Sequence, residues 1–508
     1  MQPTRFLFVL LAATLALVLP SVQADELATP LEKNGHARIS TSAEIGDWMR
    51  ALAARHPDHA RVEVLGHSVQ GREILVLHLA APRAEGASPR LRVMVTASQH
   101  GAAEPAGGEA LLVVARQILE GDRKPLLADL DLILVPNANP DGRDLGRRSN
   151  ANRVNLNVDF VLLTQPENRL LRDALYAFAP DALLDSHESA VLKRKTLAKE
   201  GYLTDFDAQF EHSNNPSVPA SLRAYALHTF LPAINARVSA GGLPAHRYIG
   251  EIISLKQPIT HGGLTLRNFR NTAGLSGTLA ILVETKLDSR DDTWPTWRNI
   301  EQRVSRQILC INSFLDLTRE QADEIRAVTA AARQALPREP LTLYAGYERD
   351  KDHPTVRIPM RRIDTRALED IEFRDHRKQV NADTLPLPPM LAVARHADLI
   401  QPVLERHSIR YIEVEEATRA EVLAARVEIT PDMYARGKLL AETRKTVTLE
   451  AGSLLIDTAQ PGGRVAALLL DPRATSSLFR YPEYAQLIRP KEEFFVYRTF
   501  KGATRSTP

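Results

Sequence analysis

The sequence predicts an α/β protein: a mixed, mostly parallel central sheet with helices on both faces, followed by a smaller C-terminal α/β or α+β domain. Three observations predict it. Short apolar runs such as "LRVMVTA", "LDLILVP", "DALLD" and "TLAILVET" alternate with longer stretches of helical spacing, as in sheets whose crossovers are helices. Those runs are almost continuously apolar, which suits strands covered on both faces. At 508 residues, 44% hydrophobic and 25% charged, the chain can bury a large core and has the length of about two domains.

The elements follow in order. Residues 1–24 have the layout of a signal peptide: Arg5, an apolar stretch from Phe6 to Leu19, then small residues ending at Ala24. The apolar stretch falls short of the roughly 18 to 20 residues that a membrane anchor needs. An exported product, periplasmic or secreted, with no stable membrane span after cleavage is therefore expected. "IGDWMRALAARH" has helical spacing, and "RVEVLGHSVQGREILVLHLA" reads as two strands around a turn at Gly71. The strand "LRVMVTA" leads through "SQHGAAEPAGG" into the helix "EALLVVARQIL", and the strand "LDLILVP" leads into a long polar loop. Next come a helix ("NRLLRDALYAFA"), a strand ("DALLDSH"), a polar insertion, a helix ("SLRAYALHTFLPAINARV") and the strand "TLAILVET". A helical stretch from Trp297 to Leu336 closes this unit. The proline-rich, charged segment after it sets the expected boundary, giving 25–335 and 336–508 as domains. In the second, "MLAVARHADLIQPVLERHSIRYIEV" reads strand, helix, strand, and His396 and His407 are expected to be structural or solvated.

Sixty-four basic against 62 acidic residues leave a net charge of +2 with no long basic run, so nucleic acid is not an expected partner. Any acidic ligand must meet local arginines. The single cysteine, Cys310, cannot form an internal disulfide, and its helical context predicts a buried core position.

Strand ends are where an open α/β sheet exposes side chains to a cleft. His100 follows one such strand, Arg147, Arg148 and Asn157 lie beyond the next, and His187 and Glu284 end two more. Two histidines and a carboxylate suit a catalytic zinc, which takes three protein ligands and keeps a position for water. A further carboxylate could take a proton from that water, and an arginine could hold an oxyanion.

From about Ile45 to Leu315 the chain resembles the zinc metallocarboxypeptidases of the carboxypeptidase A type, in particular bacterial members with an extra C-terminal domain. The motifs that carry the resemblance are "LGHSVQGREILVL", "QHGAAEPAG", "NANPDGRD", "RSNANRVNLNVDF", "LLDSHES" and "LVETK", in that order. The resemblance implies one Zn2+ held by His100, Glu104 and His187. Glu284 is then the general base, Arg148 the oxyanion arginine and Asn157 a substrate contact, with Arg147 beside it on the substrate side. Glu109, deeper in the helix, is the poorer candidate for the metal.

The chain departs from the pattern in three places. The first metal motif reads His-x-x-x-Glu, one residue longer than the family's His-x-x-Glu, so a bulge must return Glu104 to the metal. The Asn-Arg pair that grips a substrate's terminal carboxylate is Asn157-Val158 here, and valine cannot make a charged clamp; Arg153 is the nearest substitute. Asn155 aligns with the aspartate that orients the first histidine. Tyr248 is read as a loop aromatic and His261 as a flexible loop residue. Arg267, Arg270 and Asn271 are read either as contacts for an acidic substrate group or as solvated loop charge. The expected function is an exported zinc peptidase of carboxypeptidase type acting on peptides. The alternatives are an endo-acting peptidase or amidase, and a non-catalytic peptide-binding protein.

Overall fold

The computed structural model describes residues 27–83, 85–86, 88–190, 195–204, 206–287, 299–429, 437–489 and 492–500. The expected signal peptide lies outside the described residues. Nine strands precede residue 299: β1 (Ala60–His67), β2 (Glu73–Leu79), β3 (Leu91–Ala97), β4 (Leu130–Val135), β5 (Ala182–Ala190), β6 (Tyr202–Thr204), β7 (Ala208–His212), β8 (Ala245–Arg247) and β9 (Leu279–Leu287). All but β6 form one eight-stranded sheet in the order β1-β2-β4-β3-β5-β9-β7-β8. Its four middle strands, β4, β3, β5 and β9, are mutually parallel, and antiparallel pairings flank them at β1, β2 and β7. This is the mixed α/β architecture read from the apolar runs.

Both faces of the sheet are covered. On one, Val93, Val95 and Leu184 pack with the helices Ala106–Leu119 and Ile300–Glu320, where Cys310 is fully buried. On the other, Met94, Ile133 and Leu183 meet Leu171 and Leu175 of the helix Pro166–Phe178. The long C-terminal helical stretch breaks at Gln321 into Ile300–Glu320 and Ala322–Ala335.

Beyond it come β10 (Leu341–Glu348), β11 (Thr355–Arg362), β12 (Leu368–Arg374) and β13 (Lys378–Leu385). The six-stranded sheet that follows is built from β14 (Met390–Val393), β15 (Ile412–Glu413), β16 (Thr418–Glu428), β17 (Lys438–Leu449), β18 (Leu454–Asp457) and β19 (Val496–Thr499). This part packs closely on the first. β11 pairs with β6, Ile259 bridges to Asp375, and one apolar cluster runs through Phe210, Leu341, Leu391 and Leu468. Among the described residues no helix is long and apolar enough to cross a membrane.

Candidate active site

Because β4, β3, β5 and β9 are adjacent and parallel, their carboxyl ends open on one edge. The loop after β3 is shaped for the extra residue of the His-x-x-x-Glu motif. Gly101 to Ala103 form a single 3-10 turn, with Gly101 at φ +50°, a conformation that disfavours a side chain. A Cβ there would meet the Gly142 carbonyl carbon at 2.6 Å and the Arg147 oxygen at 2.7 Å. The turn uses up the additional residue and brings Glu104 back beside His100. Gly107 then lets the next helix lie directly on β5, since a Cβ would stand 2.1 Å from Ser186 Oγ.

The turns around Asn139 and Gly71 hold this loop. Asn139 caps the short helix Pro140–Asp144 through its Oδ1, and its Nδ2 donates to the Gln99 carbonyl at 3.0 Å. Arg143 donates to Ser98 Oγ at 2.9 Å and to Glu109 Oε1 at 2.8 Å, so Glu109 is a buried structural partner. Asp141 accepts from Ser68 Oγ at 2.8 Å, from the Gln70 amide at 3.0 Å and from Arg72 at 2.7 Å. The strand-pair motif and the Asn-Pro-Asp-Gly turn are thus two halves of one hydrogen-bonded support.

His100, Glu104 and His187 are brought together, with one potential ligand atom of each within 4.8 Å of the others. All three are buried. Glu104 Oε2 faces His187 Nδ1 at 2.9 Å and also accepts from the Glu188 amide at 3.2 Å. The two imidazole centroids are 5.0 Å apart. Glu284 sits opposite His187 in the β5–β9 register, half-buried at the same rim. Arg148 reaches in from a half-exposed position and donates to Glu104 Oε1. Asn157 places Nδ2 3.3 Å from His187 Nε2. The Arg147 side chain is exposed, and its carbonyl accepts from the Ala102 amide at 3.1 Å.

The electrostatics sort these groups. Burial pushes His100 down to about 3, keeping it neutral. Burial would lift the Glu104 carboxyl, but His100, Arg148 and His187 together hold it well below the usual carboxylate range. Burial would likewise lower His187, yet Asp185 and Glu104 raise it well above an ordinary imidazole. Burial and then the charge of Glu104 lift the Glu284 carboxyl to about 8. In the metal-free chain one carboxyl is therefore an anion and its neighbour holds a proton.

The donor set fits zinc, since two imidazoles and a carboxylate are the ligand types and number of a catalytic site. His100 Nδ1, moreover, is buried with no hydrogen-bond partner, a ring nitrogen left available.

Several expectations at the rim are corrected. Asn155 does not orient His100: its Oδ1 accepts from the Asn157 amide at 3.1 Å, closing a local turn. Arg153 is exposed in a left-handed conformation and is not drawn to the cluster. Arg270 and Asn271 are buried on the helix Phe269–Leu275 and are not solvated loop residues. Tyr248 is a loop aromatic just past β8, as expected; it donates its amide to the Phe210 carbonyl at 2.9 Å, and its phenol is raised by burial and then by Glu284. His261 is fixed by the Tyr248 carbonyl at 2.8 Å and so is not a flexible loop residue.

Sequence reasoning missed the layer beneath the site. Asp185 Oδ2 stands 3.2 Å from His187 Nε2, out of line for a hydrogen bond, so it acts on the ring chiefly as a charge. Its Oδ1 accepts from Gln99 at 2.7 Å. The two-residue spacing from Asp185 to His187 on a strand puts both on one face and was a usable signal. Glu188 makes a bidentate pair with the buried Arg303 at 2.7 and 2.9 Å, and Glu188 also accepts from the Ala106 amide.

Residues 45–172 match the zinc carboxypeptidase family model. The chain is 26% identical over 285 residues to carboxypeptidase 2 of Trichophyton rubrum, covering 55% of this chain and 52% of that protein. It is 35% identical over 129 residues to the inactive metallocarboxypeptidase ECM14 of Ajellomyces dermatitidis, covering 24% and 21%. The chain spans about half the length, or less, of these curated relatives. Among solved structures, a metallo-carboxypeptidase from Burkholderia cenocepacia is similar at 21% identity and a TM-score of 0.43, covering 55% of this chain and 69% of that one. Residues 45–172, the part that matches the zinc carboxypeptidase model, hold His100, Glu104, Arg148 and Asn157, and the neighbouring parallel strands add His187 and Glu284 on the same edge of the mixed sheet.

Proposed function

We propose that the protein is an exported zinc-dependent peptidase of carboxypeptidase type that hydrolyses peptide bonds. The observation that carries this reading is the convergence of His100, Glu104 and His187 with Glu284 across the rim. These three residues would hold one zinc ion, which when bound supplies a Lewis acid that makes water a nucleophile near neutral pH. Glu284 then takes the proton from the attacking water and returns it to the leaving amine. Arg148, mobile enough at half exposure to leave Glu104, donates to the carbonyl oxygen as charge develops there. Asn157 and Arg147 lie on the substrate side. Residues 25–335 would form the catalytic domain and 336–508 an accessory domain. Export rests on the leader-like residues 1–24.

A second reading, an endo-acting peptidase or amidase, is favoured by Val158 at the place of the anchoring arginine. Metal analysis of the purified mature chain tests the enzyme: about one zinc per chain with peptide turnover is expected. No zinc under zinc-replete conditions leaves a non-catalytic binding protein. Peptides with free and amidated C-termini separate the remaining readings, since equal rates on both would end the carboxypeptidase assignment.

A further inference from the structure

A second buried polar cluster lies beside the site and takes no part in the mechanism above. Glu211 on β7 is fully buried, and its oxygens are already occupied. Oε1 accepts from the His212 amide at 3.2 Å, His212 Nδ1 at 2.8 Å and Arg247 Nε at 3.2 Å, and Oε2 accepts from the Gly262 amide at 3.4 Å. His212 and His261 are both lowered by burial, so neither adds a charge near neutral pH. Arg247 and Arg270 both act on the charge of Glu211, so two guanidiniums face one carboxylate and the cluster carries one positive charge in excess.

Arg270 is 4% exposed. Its Nη2 donates only to neutral oxygens, Asn214 Oδ1 at 3.2 Å and the Gly263 carbonyl at 3.3 Å. Its Nε is buried with no partner, and among the described residues it forms no ion pair. A buried excess of positive charge is costly, and the cost falls when an anion arrives. The guanidinium lies near the reacting groups, since the Tyr248 phenol is acted on by both Glu284 and Arg270. Gly262 lies between the Tyr248 ring and the Arg270 guanidinium, where a Cβ would stand 3.3 Å from the ring and 3.1 Å from Nη2. Asn157, whose Nδ2 faces His187, accepts on Oδ1 from the amide of Phe269, the residue before Arg270. Tyr347 from β10 seals the far side, donating to the Gly262 carbonyl at 2.8 Å.

We propose that Arg270 is the anion anchor of the substrate pocket, taking a carboxylate of the peptide and so supplying the charge that Val158 cannot. This rests on the peptidase reading. The carboxylate is either the peptide's free C-terminus or an acidic side chain next to the cleaved bond. Four matched peptides distinguish the two sources: C-terminal Glu or Leu, each with a free or amidated terminus.

Arg270→Met in the zinc-loaded full chain should lose at least about 30-fold in kcat/KM, through KM, on substrates bearing the recognised carboxylate. Neutral amidated peptides should be affected far less, and Arg270→Lys should restore part of the loss. If the loss follows the free terminus, the C-terminal carboxylate is the ligand; if it follows Glu, the acidic side chain is. An equal fall on all four peptides, or none, overturns the proposal.

Equilibrium binding of N-acetylglutamate against N-acetylglutamine amide to the metal-free wild-type chain needs no variant and no turnover. At least about tenfold preference for the anion is expected, and equal affinity rejects the anchor. Preferential binding without cleavage of any peptide by the zinc-loaded chain would instead reject the peptidase reading alone.

Discussion

Gln307 Nε2 donates to the carbonyl oxygen of His187 at 2.8 Å. The same amide donates to Thr285 Oγ1 at 2.8 Å, and its Oε1 accepts from Ser186 Oγ at 2.9 Å. One fully buried side chain from the helix Ile300–Glu320 thus ties the strand of His187 to the strand of Glu284. Gln307→Leu strips partners from three buried groups, and a loss of about 1–3 kcal/mol in stability is expected. Zinc affinity should also fall about tenfold as His187 loosens. Denaturant unfolding and competition with a chelator read the two effects. A variant with wild-type zinc affinity would reduce Gln307 to a packing role.

Glu284 is the group on which turnover should depend most without the metal depending on it. Glu284→Gln keeps the shape and removes the proton acceptor. Zinc content should stay at the wild-type level while kcat falls roughly 100-fold to 10,000-fold. An unaffected rate would assign the base elsewhere. Arg148→Ala makes a useful contrast, because it frees a carboxylate that is a proposed ligand: kcat should fall about 100-fold with zinc retained or bound more tightly.

His187 is held well above its ordinary value by Asp185 and Glu104 acting against burial, so the metal-free protein keeps a proton on it near neutral pH. A zinc ligand must give that proton up. Calorimetric titration of the metal-free protein in buffers of different ionisation enthalpy should show proton release on zinc binding at pH 7. Affinity should weaken as the pH falls. Asp185→Asn removes a charge that supports the ring and should weaken zinc binding about 10-fold to 100-fold. Binding with no proton release would exclude His187 as a ligand.

What could be read from the sequence was whatever local pattern determines. Continuous apolar runs marked β3, β4, β5 and β9, and a parallel sheet then required His100, Asn157, His187 and Glu284 to share an edge. The conformation of the His100–Glu104 turn was not legible, because it depends on Gly101 meeting the backbone of Gly142 and Arg147, some 40 residues away. Arg303 and Gln307 looked like ordinary polar residues on a long helix, since burial of a polar face shows only when the partners Glu188 and His187 are in place. For the same reason the sequence left Arg270 open between a contact for an acidic substrate group and solvated loop charge. Helix and loop alternate without a clear period around it, and its enclosure comes from Asn214 and Tyr347, one of them on β10 in the C-terminal part.

That C-terminal part should also set the acid stability of the protein, through His407. Its ring is buried, and Nε2 donates to the Val161 carbonyl at 2.9 Å, across from the helix Ala397–Arg406 to the catalytic part. Arg406 beside it donates to the Leu162 carbonyl at 2.8 Å, and Arg172 donates to the Arg406 carbonyl at 2.6 Å. Burial, with help from Arg172 and Arg406, pushes His407 down to about 4. The folded state therefore refuses a proton that the unfolded chain takes up below about 6.5. This contribution is fully present above that value and is lost as the pH falls from about 6.5 towards 4. At pH 5 the loss amounts to about 2 kcal/mol. His261, lowered to about 4 by burial and Arg247, adds to the same window. Urea unfolding of the wild type should show lower stability at pH 5 than at pH 7. His407→Gln, which keeps a donor for Val161 but cannot be charged, should show a clearly smaller loss between the two. A variant that loses as much as the wild type would remove His407 from the account and leave the acid sensitivity to other groups.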